Sequence, residues 1–392
     1  MWFVLVLAML VGVEAVCGKD TSGCKVVEPS SEAKHIGLGD TELVLAFVMF
    51  RHGDRTPDDE ELNLYPSEHH IPPNIFFPYG KKALTNKGKQ RAYLTGKYLR
   101  QLYDGLVCRL YLPDQVKIRT TEYARTQMTA LAALSGLYPP EPAQKWNPTL
   151  DWQPIPYSTT PFAEDDLMYW YNCPRYLSLK DQMYGKPEIK KWLDPYEGLF
   201  KYMTEHAGTN ITTPEDVFNL DNLFQTLSNV GLDPPKWAQD VMPKIKDMTK
   251  IEYAVQYYNS ELIKLASGVL MQFILNATDS VVENPEKRIE PKLYLISAHE
   301  NNVAGLMAAA RVFEAHQPKY GSTFSLELRK NLKTRRYGIT AIYARDAGGP
   351  GTLLPINGCG GQPVCDYEQF VTLMQDVIWS KEEFYKACKT PL

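Results

Sequence analysis

The clearest hydrophobic pattern in the chain is an unbroken apolar run of strand length, Leu43 to Phe50. A run of this kind predicts a central strand of a parallel sheet that is buried on both faces. A polar, proline-containing loop follows it. Thr85 then stands where it can cap a helix that extends to about Tyr103. The predicted order is therefore strand, loop and helix.

Two later segments repeat this order. Residues 115–118 alternate as a short strand before a helix over 123–137, and residues 292–298 form a strand before a helix over 303–313. Strands that alternate with helices predict a largely parallel sheet with helices on both faces. Ligands in such folds bind beyond the carboxyl ends of the strands, so the three strand ends mark the expected site.

Two further strands extend this sheet region. Residues 323–328 and 337–343 alternate with period two and predict a hairpin at the sheet edge. Together with the three strand and helix units, they predict an α/β fold with three layers, α/β/α, around a mixed, mostly parallel sheet.

The middle of the chain has a different pattern. From residue 162 to 290 the strand signal fades, and helical stretches such as 216–227 and 251–275 replace it. We expect residues 162–290 to be an inserted, mostly helical cap. Residues 40–161 and 291–388 then form the α/β core.

The amino-terminal end carries an apolar run, Trp2 to Val11, that is too short to span a bilayer and precedes the small-residue segment Val13-Glu14-Ala15. This pattern predicts a signal peptide over residues 1–15; a buried first strand is the alternative. No later apolar stretch approaches the ~20 residues of a membrane span, so no membrane anchor is predicted. Export agrees with the seven cysteines and with the N-glycan acceptor sites at Asn210 and Asn276. Secretion is the expected location, ahead of the lysosomal lumen.

The charged residues suggest a local anion site. The net charge of −4 argues against nucleic acid or an anionic membrane as a partner. Arg51, His52 and Arg55, however, lie within five positions directly after the first strand. Adjacent arginines repel each other unless an anion neutralises them, and guanidinium groups bind tetrahedral phosphate through paired hydrogen bonds. The segment therefore predicts a phosphate pocket, with a basic loop of surface salt bridges as the alternative.

No metal or cofactor is predicted. His69 and His70 follow Glu68, but two adjacent histidines do not share a face or supply the third protein ligand of a catalytic zinc site. The sequence contains neither zinc-type cysteine spacing nor a Walker-type glycine loop.

The sequence resembles the histidine acid phosphatases, in the branch that holds the prostatic, lysosomal and arthropod venom acid phosphatases. The resemblance covers nearly the whole mature chain and implies a fold like that of phosphoglycerate mutase. Its motifs are Arg51-His52-Gly53-Asp54-Arg55-Thr56-Pro57, Leu84-Thr85 with Gly88, Ile118-Arg119-Thr120-Thr121 with Arg125-Thr126, Tyr138-Pro139-Pro140, Trp152-Gln153-Pro154-Ile155-Pro156, Asn172-Cys173-Pro174-Arg175 and Ser297-Ala298-His299.

The resemblance implies a role for each matching residue. His52 is the nucleophile that receives the phosphoryl group, and the phosphohistidine is later hydrolysed by water. The oxygens of the phosphoryl group are held by Arg51, Arg55, Arg119 and His299. Glu300 protonates the leaving oxygen, although the family usually has Asp at this position. Without the resemblance, a core histidine that caps a helix and a first-turn acid would account for His299 and Glu300.

The resemblance also implies the disulfides Cys173–Cys388 and Cys359–Cys365. Cys108 then pairs with Cys24 or Cys17, and Cys24–Cys108 is the pair we expect. Spacing alone does not prove this connectivity.

The leading prediction is a secreted acid phosphatase that acts on small phosphomonoesters. The alternative is a catalytically weak or inactive binding protein that sequesters a small ligand under the cap, because fold does not guarantee function. Inositol phosphates or a phosphoprotein as substrate rank third. Relatives often form dimers, so a homodimer is compatible with the resemblance.

Overall fold

The computed structural model describes residues 38, 40–65, 71–286 and 289–389. The predicted signal peptide, Cys17, Cys24 and the pair His69-His70 lie outside the described residues. The Cys24–Cys108 disulfide therefore stays a prediction.

The strands form one mixed sheet, as the sequence predicts. In the described residues it has eight strands, in the order β3-β2-β4-β1-β5-β6-β7, with β8 beside β6. Strands β1 to β4 pair in parallel, whereas β5 to β8 pair antiparallel with their neighbours. The strands are β1 Thr41–Arg51, β2 Val116–Thr120, β3 Ser158–Thr159, β4 Leu293–Ala298, β5 Thr323–Asn331, β6 Tyr337–Ala344, β7 Thr352–Leu354 and β8 Cys365–Asp366.

The described α-helices lie between and after these strands. They are α1 Asp59–Asn63, α2 Asn86–Leu102, α3 Ala124–Leu137, α4 Pro174–Met183, α5 Pro187–Leu193, α6 Glu197–Ala207, α7 Pro214–Asn229, α8 Lys236–Gln256, α9 Ser260–Glu283, α10 Glu300–Ala309, α11 Tyr367–Met374 and α12 Lys381–Lys389.

Alternate residues of β1 pack on opposite layers of helices. Val48 and Phe50 join a cluster that includes Leu99 of α2 and Leu134 of α3. Phe47 and Met49 join a second cluster that includes side chains of α9 and α10. Because successive side chains of a strand point to opposite faces, an apolar run must be covered on both. The three-layer α/β/α fold is thereby confirmed.

The segment over 162–290 supplies six of the helices, α4 to α9, and no described strand. Part of it forms a separate apolar cluster, in which Met203, Phe224 and Ile245 join α6, α7 and α8, and which also includes Ile71 and Phe76. Helix α9, in contrast, packs on the sheet, since Phe273 contacts Phe47 and Tyr294. The division of the chain into a core and a cap stays a prediction. Helix α9 lies in one of the helical layers that cover the sheet.

Two predicted helices have different bounds in the structure. The helix expected over 303–313 is α10, which begins at Glu300 because His299 is its N-cap. The helix expected over 251–275 is instead two helices, α8 and α9. They are separate because the side chain of Asn259 accepts a hydrogen bond from the Leu262 amide and caps α9.

Helix α9 is, among the described helices, the one long and apolar enough to cross a membrane by length and composition. Of its apolar window, 61% is buried inside the protein. This burial is typical of a core helix.

Candidate active site

The loop after β1 is held against the start of α2 by two glycines. A Cβ on Gly53 would lie 2.2 Å from the carbonyl oxygen of Gly88, and a Cβ on Gly88 would lie 2.2 Å from that of Asp54. Only glycine permits such close backbone contact. The Thr85 amide donates to Asp54 at 2.9 Å, and the Thr85 hydroxyl accepts from the Gly88 amide at 3.1 Å. These contacts fix the backbone that follows His52.

Strand register brings the predicted site residues together. Arg51 lies opposite Ala298 in the pairing of β1 with β4, and Thr120 lies opposite Ser297 in the pairing of β2 with β4. The residues that follow these strands therefore emerge side by side. The His52 amide also donates to the Ala298 carbonyl at 2.9 Å.

The imidazole of His52 is buried and has a defined orientation. Nδ1 lies 2.8 Å from the carbonyl oxygen of Gly53, which only accepts, so Nδ1 carries the proton. Nε2 therefore keeps its lone pair. Burial, and then repulsion from Arg125 and Arg51, hold the pKa of His52 well below its ordinary value of 6.5. The lowered pKa favours the neutral form of the imidazole.

Arg51 is fully buried at the end of β1. Its Nη1 donates to the Pro318 carbonyl at 2.7 Å, and its guanidinium stacks 3.9 Å from the ring centroid of Tyr320. Nη2 has no hydrogen-bond partner among the described residues. A buried donor of this kind requires an acceptor, and a phosphoryl oxygen is one.

Arg55 is held by a carboxylate. Its Nη1 donates to Oε2 of Glu61 at 2.9 Å, and its Nη2 donates to the other oxygen of the same group. Attraction to Glu61 outweighs the effect of burial, so the pKa of Arg55 lies above its ordinary value. Asp54 of the same loop pairs with Arg91 of α2.

His299 and Glu300 begin α10 at the end of β4. His299 Nε2 lies 3.0 Å from Oγ1 of Thr121, and its ring centroid lies 5.4 Å from that of His52. Oε2 of Glu300 lies 2.9 Å from Nε of Arg51. Burial raises the pKa of Glu300, but attraction to Arg51 and Arg55 outweighs it, so the pKa lies below its ordinary value.

Arg119 does not join this cluster. It lies inside β2, before the strand end, and its Nη2 donates to Oδ1 of Asp165 at 2.6 Å. The arginine found beside Arg55, His299 and Glu300 in the pocket is Arg125. Placing Arg119 in the pocket is thus corrected to Arg125, because the Arg119 guanidinium is bound to Asp165 and Arg125 is the arginine that lines the pocket.

Arg125 is buried in the first turn of α3. Its Nη2 lies 3.6 Å from Oδ2 of Asp58, and its guanidinium lies 4.2 Å from the ring centroid of Tyr123. Nε and Nη1 have no partner in the part of the chain that the structure describes. The sequence contained a signal for this residue, because Arg125 opens the helix after a strand end, where ligands bind in such sheets. Nothing in the sequence pattern pointed to Tyr320 or Glu61.

These groups surround a pocket of about 330 Å³. Arg55, Arg125, His299 and Glu300 line it, together with aromatic side chains of residues 162–171. Such a volume is near the lower end of the range for small-molecule sites. The pocket can hold a phosphoryl group with a small organic group attached.

Three side chains that could bind a metal ion also meet at this position. One ligand atom each from His52, His299 and Glu300 lies within 4.8 Å of the others. Arg51, Arg55 and Arg125 act electrostatically on the same groups and oppose a cation. The charges around the site favour an anion.

Two of the predicted disulfides are present, Cys173–Cys388 and Cys359–Cys365. Cys173 precedes α4 and Cys388 lies in α12, so the first disulfide joins the start of the helical segment to the carboxyl-terminal helix. Asn210 and Asn276 are both exposed. Glycosylation at these residues stays a prediction.

Comparisons with known proteins identify the family. The sequence model of the histidine phosphatase superfamily (branch 2) matches residues 42–339. The chain is 31% identical to venom acid phosphatase Acph-1 of Apis mellifera, with 87% of each chain covered. It is 32% identical to prostatic acid phosphatase of Homo sapiens, covering 87% of this chain and 88% of that one.

Solved structures show the same fold. Hafnia alvei phytase in complex with tartrate aligns with a TM-score of 0.65 at 15% identity, over 90% of this chain and 99% of the phytase. The chain therefore belongs to the histidine phosphatase superfamily, branch 2, as a member of its acid phosphatases, which are phosphomonoester hydrolases.

Proposed function

We propose that this protein is a secreted acid phosphatase that hydrolyses small phosphomonoesters through a phosphohistidine on Nε2 of His52. The observation that carries the proposal is the state of this imidazole. Its Nδ1 proton is committed to the Gly53 carbonyl at 2.8 Å, and its pKa is held well below the ordinary value by burial and by Arg125. A buried, neutral and oriented imidazole is a competent nucleophile at acidic pH.

The arginines bind and stabilise the phosphoryl group. Phosphoryl transfer depends mainly on in-line positioning and on neutralising the charge of the equatorial oxygens. Arg51 and Arg125 each have unpartnered buried nitrogens, and Arg55 is fixed by Glu61. His299 adds a further ring nitrogen at the same edge of the sheet. We assign phosphoryl binding to Arg51, Arg55, Arg125 and His299.

In the first step, the lone pair of Nε2 attacks phosphorus and the ester P–O bond breaks. The leaving oxygen takes the carboxyl proton of Glu300 and departs as the alcohol. The imidazole ring, now phosphorylated on Nε2 and protonated on Nδ1, is positively charged, and the Gly53 carbonyl stabilises that charge.

In the second step, water attacks phosphorus while the Glu300 carboxylate accepts a water proton. The N–P bond breaks, and its electron pair returns to Nε2. Inorganic phosphate leaves, and both His52 and Glu300 regain their starting protonation states. One carboxyl group thus serves as acid and then as base.

Glu300 must be protonated in the first step, although attraction to Arg51 and Arg55 lowers its pKa in the free enzyme. A bound phosphate dianion neutralises the same guanidinium groups. The pKa of Glu300 therefore rises when substrate binds, and acidic solution supplies the proton. An acidic optimum follows from a nucleophile that stays neutral and an acid that must be protonated.

The direct test is hydrolysis of phenyl phosphate from about pH 4 to 8, a range that spans carboxyl and imidazole titration. We expect activity that is highest at acidic pH and is lost in His52→Ala. His206→Ala, which changes an exposed histidine of α6, is the matched control and should keep full activity. An inert wild-type protein would instead support the alternative of a binding protein that sequesters a small ligand.

Secretion is supported by the predicted signal peptide, by the disulfides and by the venom and prostatic names of the relatives. Expression of the full chain in insect cells tests it. We expect the enzyme in the medium, with an amino terminus generated near Ala15 and with glycosidase-sensitive sugar on Asn210 or Asn276. Retention of the enzyme in lysosomes would instead favour the lysosomal lumen as its location. Sedimentation of the same sample tests the proposed homodimer.

A further inference from the structure

The pocket beyond the phosphoryl site is lined by more acids than bases. Its acids are Asp58, Glu60, Glu61, Glu215 and Glu300, and its bases are Arg55 and Arg125. No lysine of the described residues lines it. A bound phosphate dianion would neutralise the positive charge of the two arginines. The carboxylates would then leave the rest of the pocket negatively charged.

The acids differ in how far they are already neutralised. Glu61 is bound to Arg55, and Glu215 pairs with Nζ of Lys180 at 2.7 Å. Asp58 lies 3.6 Å from Nη2 of Arg125. Glu60, exposed on α1, forms no ion pair shorter than 4.0 Å within the described ranges of the chain, although Lys82 attracts it at longer range. It is therefore the carboxylate most available to a ligand.

Aromatic rings line the same pocket. The ring centroids of Phe162 and Tyr169 lie 4.3 Å apart, and that of Tyr123 lies 6.5 Å from Phe162 and 5.1 Å from His299. Phe162 is 38% exposed, so part of its surface is open to contact. An aromatic group attached to the phosphate could pack here, because aromatic pairs at such distances attract.

We propose that the site selects phosphomonoesters of small aromatic alcohols that carry a positive charge, and that Glu60 determines this charge preference. The inference rests on the proposed function and adds the substrate class. A cation on the ring is attracted by Glu60 and by the ring faces. A second phosphate or a sulfonate meets the same carboxylate and is repelled.

A matched series of substrates tests this directly. The compounds are phenyl phosphates with aminomethyl, hydroxymethyl or sulfomethyl groups at the para position, so that charge changes while the ring stays constant. We expect kcat/KM to fall in the order cation, neutral, anion, by about five- to tenfold across the series at low salt, since one exposed charge pair changes binding a few-fold. Inositol hexakisphosphate should be a much poorer substrate than any of the three.

Glu60→Gln should reduce the ratio of kcat/KM for the cationic substrate to kcat/KM for the anionic substrate to near one. Glu60→Lys should invert this ratio. Glu205→Gln, which changes an exposed acid of α6, should leave the wild-type ratio unchanged. The inference would be overturned if the wild type had equal kcat/KM values for the three substrates or hydrolysed the anionic substrate fastest. It would also be overturned if Glu60→Gln left the cation-to-anion ratio of kcat/KM unchanged. If the wild type hydrolyses none of the three, the proposed function itself fails.

Discussion

Oε2 of Glu300 lies 3.8 Å from Nε2 of His52. The two atoms are on neighbouring strand ends, and Nε of Arg51, at 2.9 Å, holds the carboxylate in place. A phosphoryl group attached to Nε2 would have to lie next to this carboxylate. The relationship is the geometric basis for assigning the acid role to Glu300.

The acid role predicts a dependence on the leaving group. Glu300→Gln cannot protonate the leaving oxygen, so it should slow the hydrolysis of alkyl phosphates by about 10²- to 10⁴-fold. The hydrolysis of 4-nitrophenyl phosphate should be slowed much less, because nitrophenolate departs without a proton. Single-turnover release of alcohol measures this step. Glu300→Asp, which keeps a shorter carboxyl group, should retain most of the rate. Equal slowing of both substrates by Glu300→Gln would contradict the acid role.

Arg125, and not Arg119, should be required for phosphoryl binding. Arg125→Ala removes a buried guanidinium of the pocket and should lower kcat/KM by about 10²- to 10³-fold, as does loss of one donor to developing charge. Arg119→Ala should instead mainly lower stability, because it leaves the buried Asp165 carboxylate without its ion-pair partner. Steady-state kinetics with phenyl phosphate and chemical denaturation separate the two effects. A large loss of activity in Arg119→Ala, with nearly normal activity in Arg125→Ala, would instead show that Arg119 binds the phosphoryl group.

The pH profile should report the lowered pKa of His52. Protonation of Nε2 removes the nucleophile, so the acidic limb of kcat/KM should lie below the ordinary histidine value of 6.5. Repulsion from Arg125 is the largest charge effect on this pKa, after burial. A slow but measurable Arg125→Met variant should therefore show its acidic limb at higher pH than the wild type. A limb that stays in place or moves to lower pH would refute this electrostatic account.

Much of this site could be anticipated from the chain. The apolar run of β1 required cover on both faces, and the cluster of Arg51, His52 and Arg55 after it required an anion. The register between β2 and β4, in contrast, is a property of the folded sheet. That register brings the end of β2, and with it the start of α3 and Arg125, to the site, whereas Arg119 is bound to Asp165. Contacts distant in sequence, such as Tyr320 on Arg51, carry no local pattern.

The contact between the His52 loop and α2 predicts a sensitive glycine. A Cβ on Gly88 would lie 2.2 Å from the Asp54 carbonyl, so Gly88→Ala should displace the loop and destabilise the protein by about 1–3 kcal/mol, despite the better helix propensity of alanine. Gly198→Ala in α6 is the control, because its Cβ meets nothing within 4 Å. Urea denaturation should show that this control is as stable as the wild type or slightly more stable. Equal stability of both variants would contradict the packing account.

The central claim is that His52 carries the phosphoryl group, and rapid quenching tests it most directly. Wild-type enzyme mixed with a labelled aryl phosphate and quenched in alkali during turnover should retain acid-labile, alkali-stable phosphate, and peptide mapping should locate it on Nε2 of His52. His52→Ala should retain none. Phosphate on another residue, or full turnover by His52→Ala, would contradict the account.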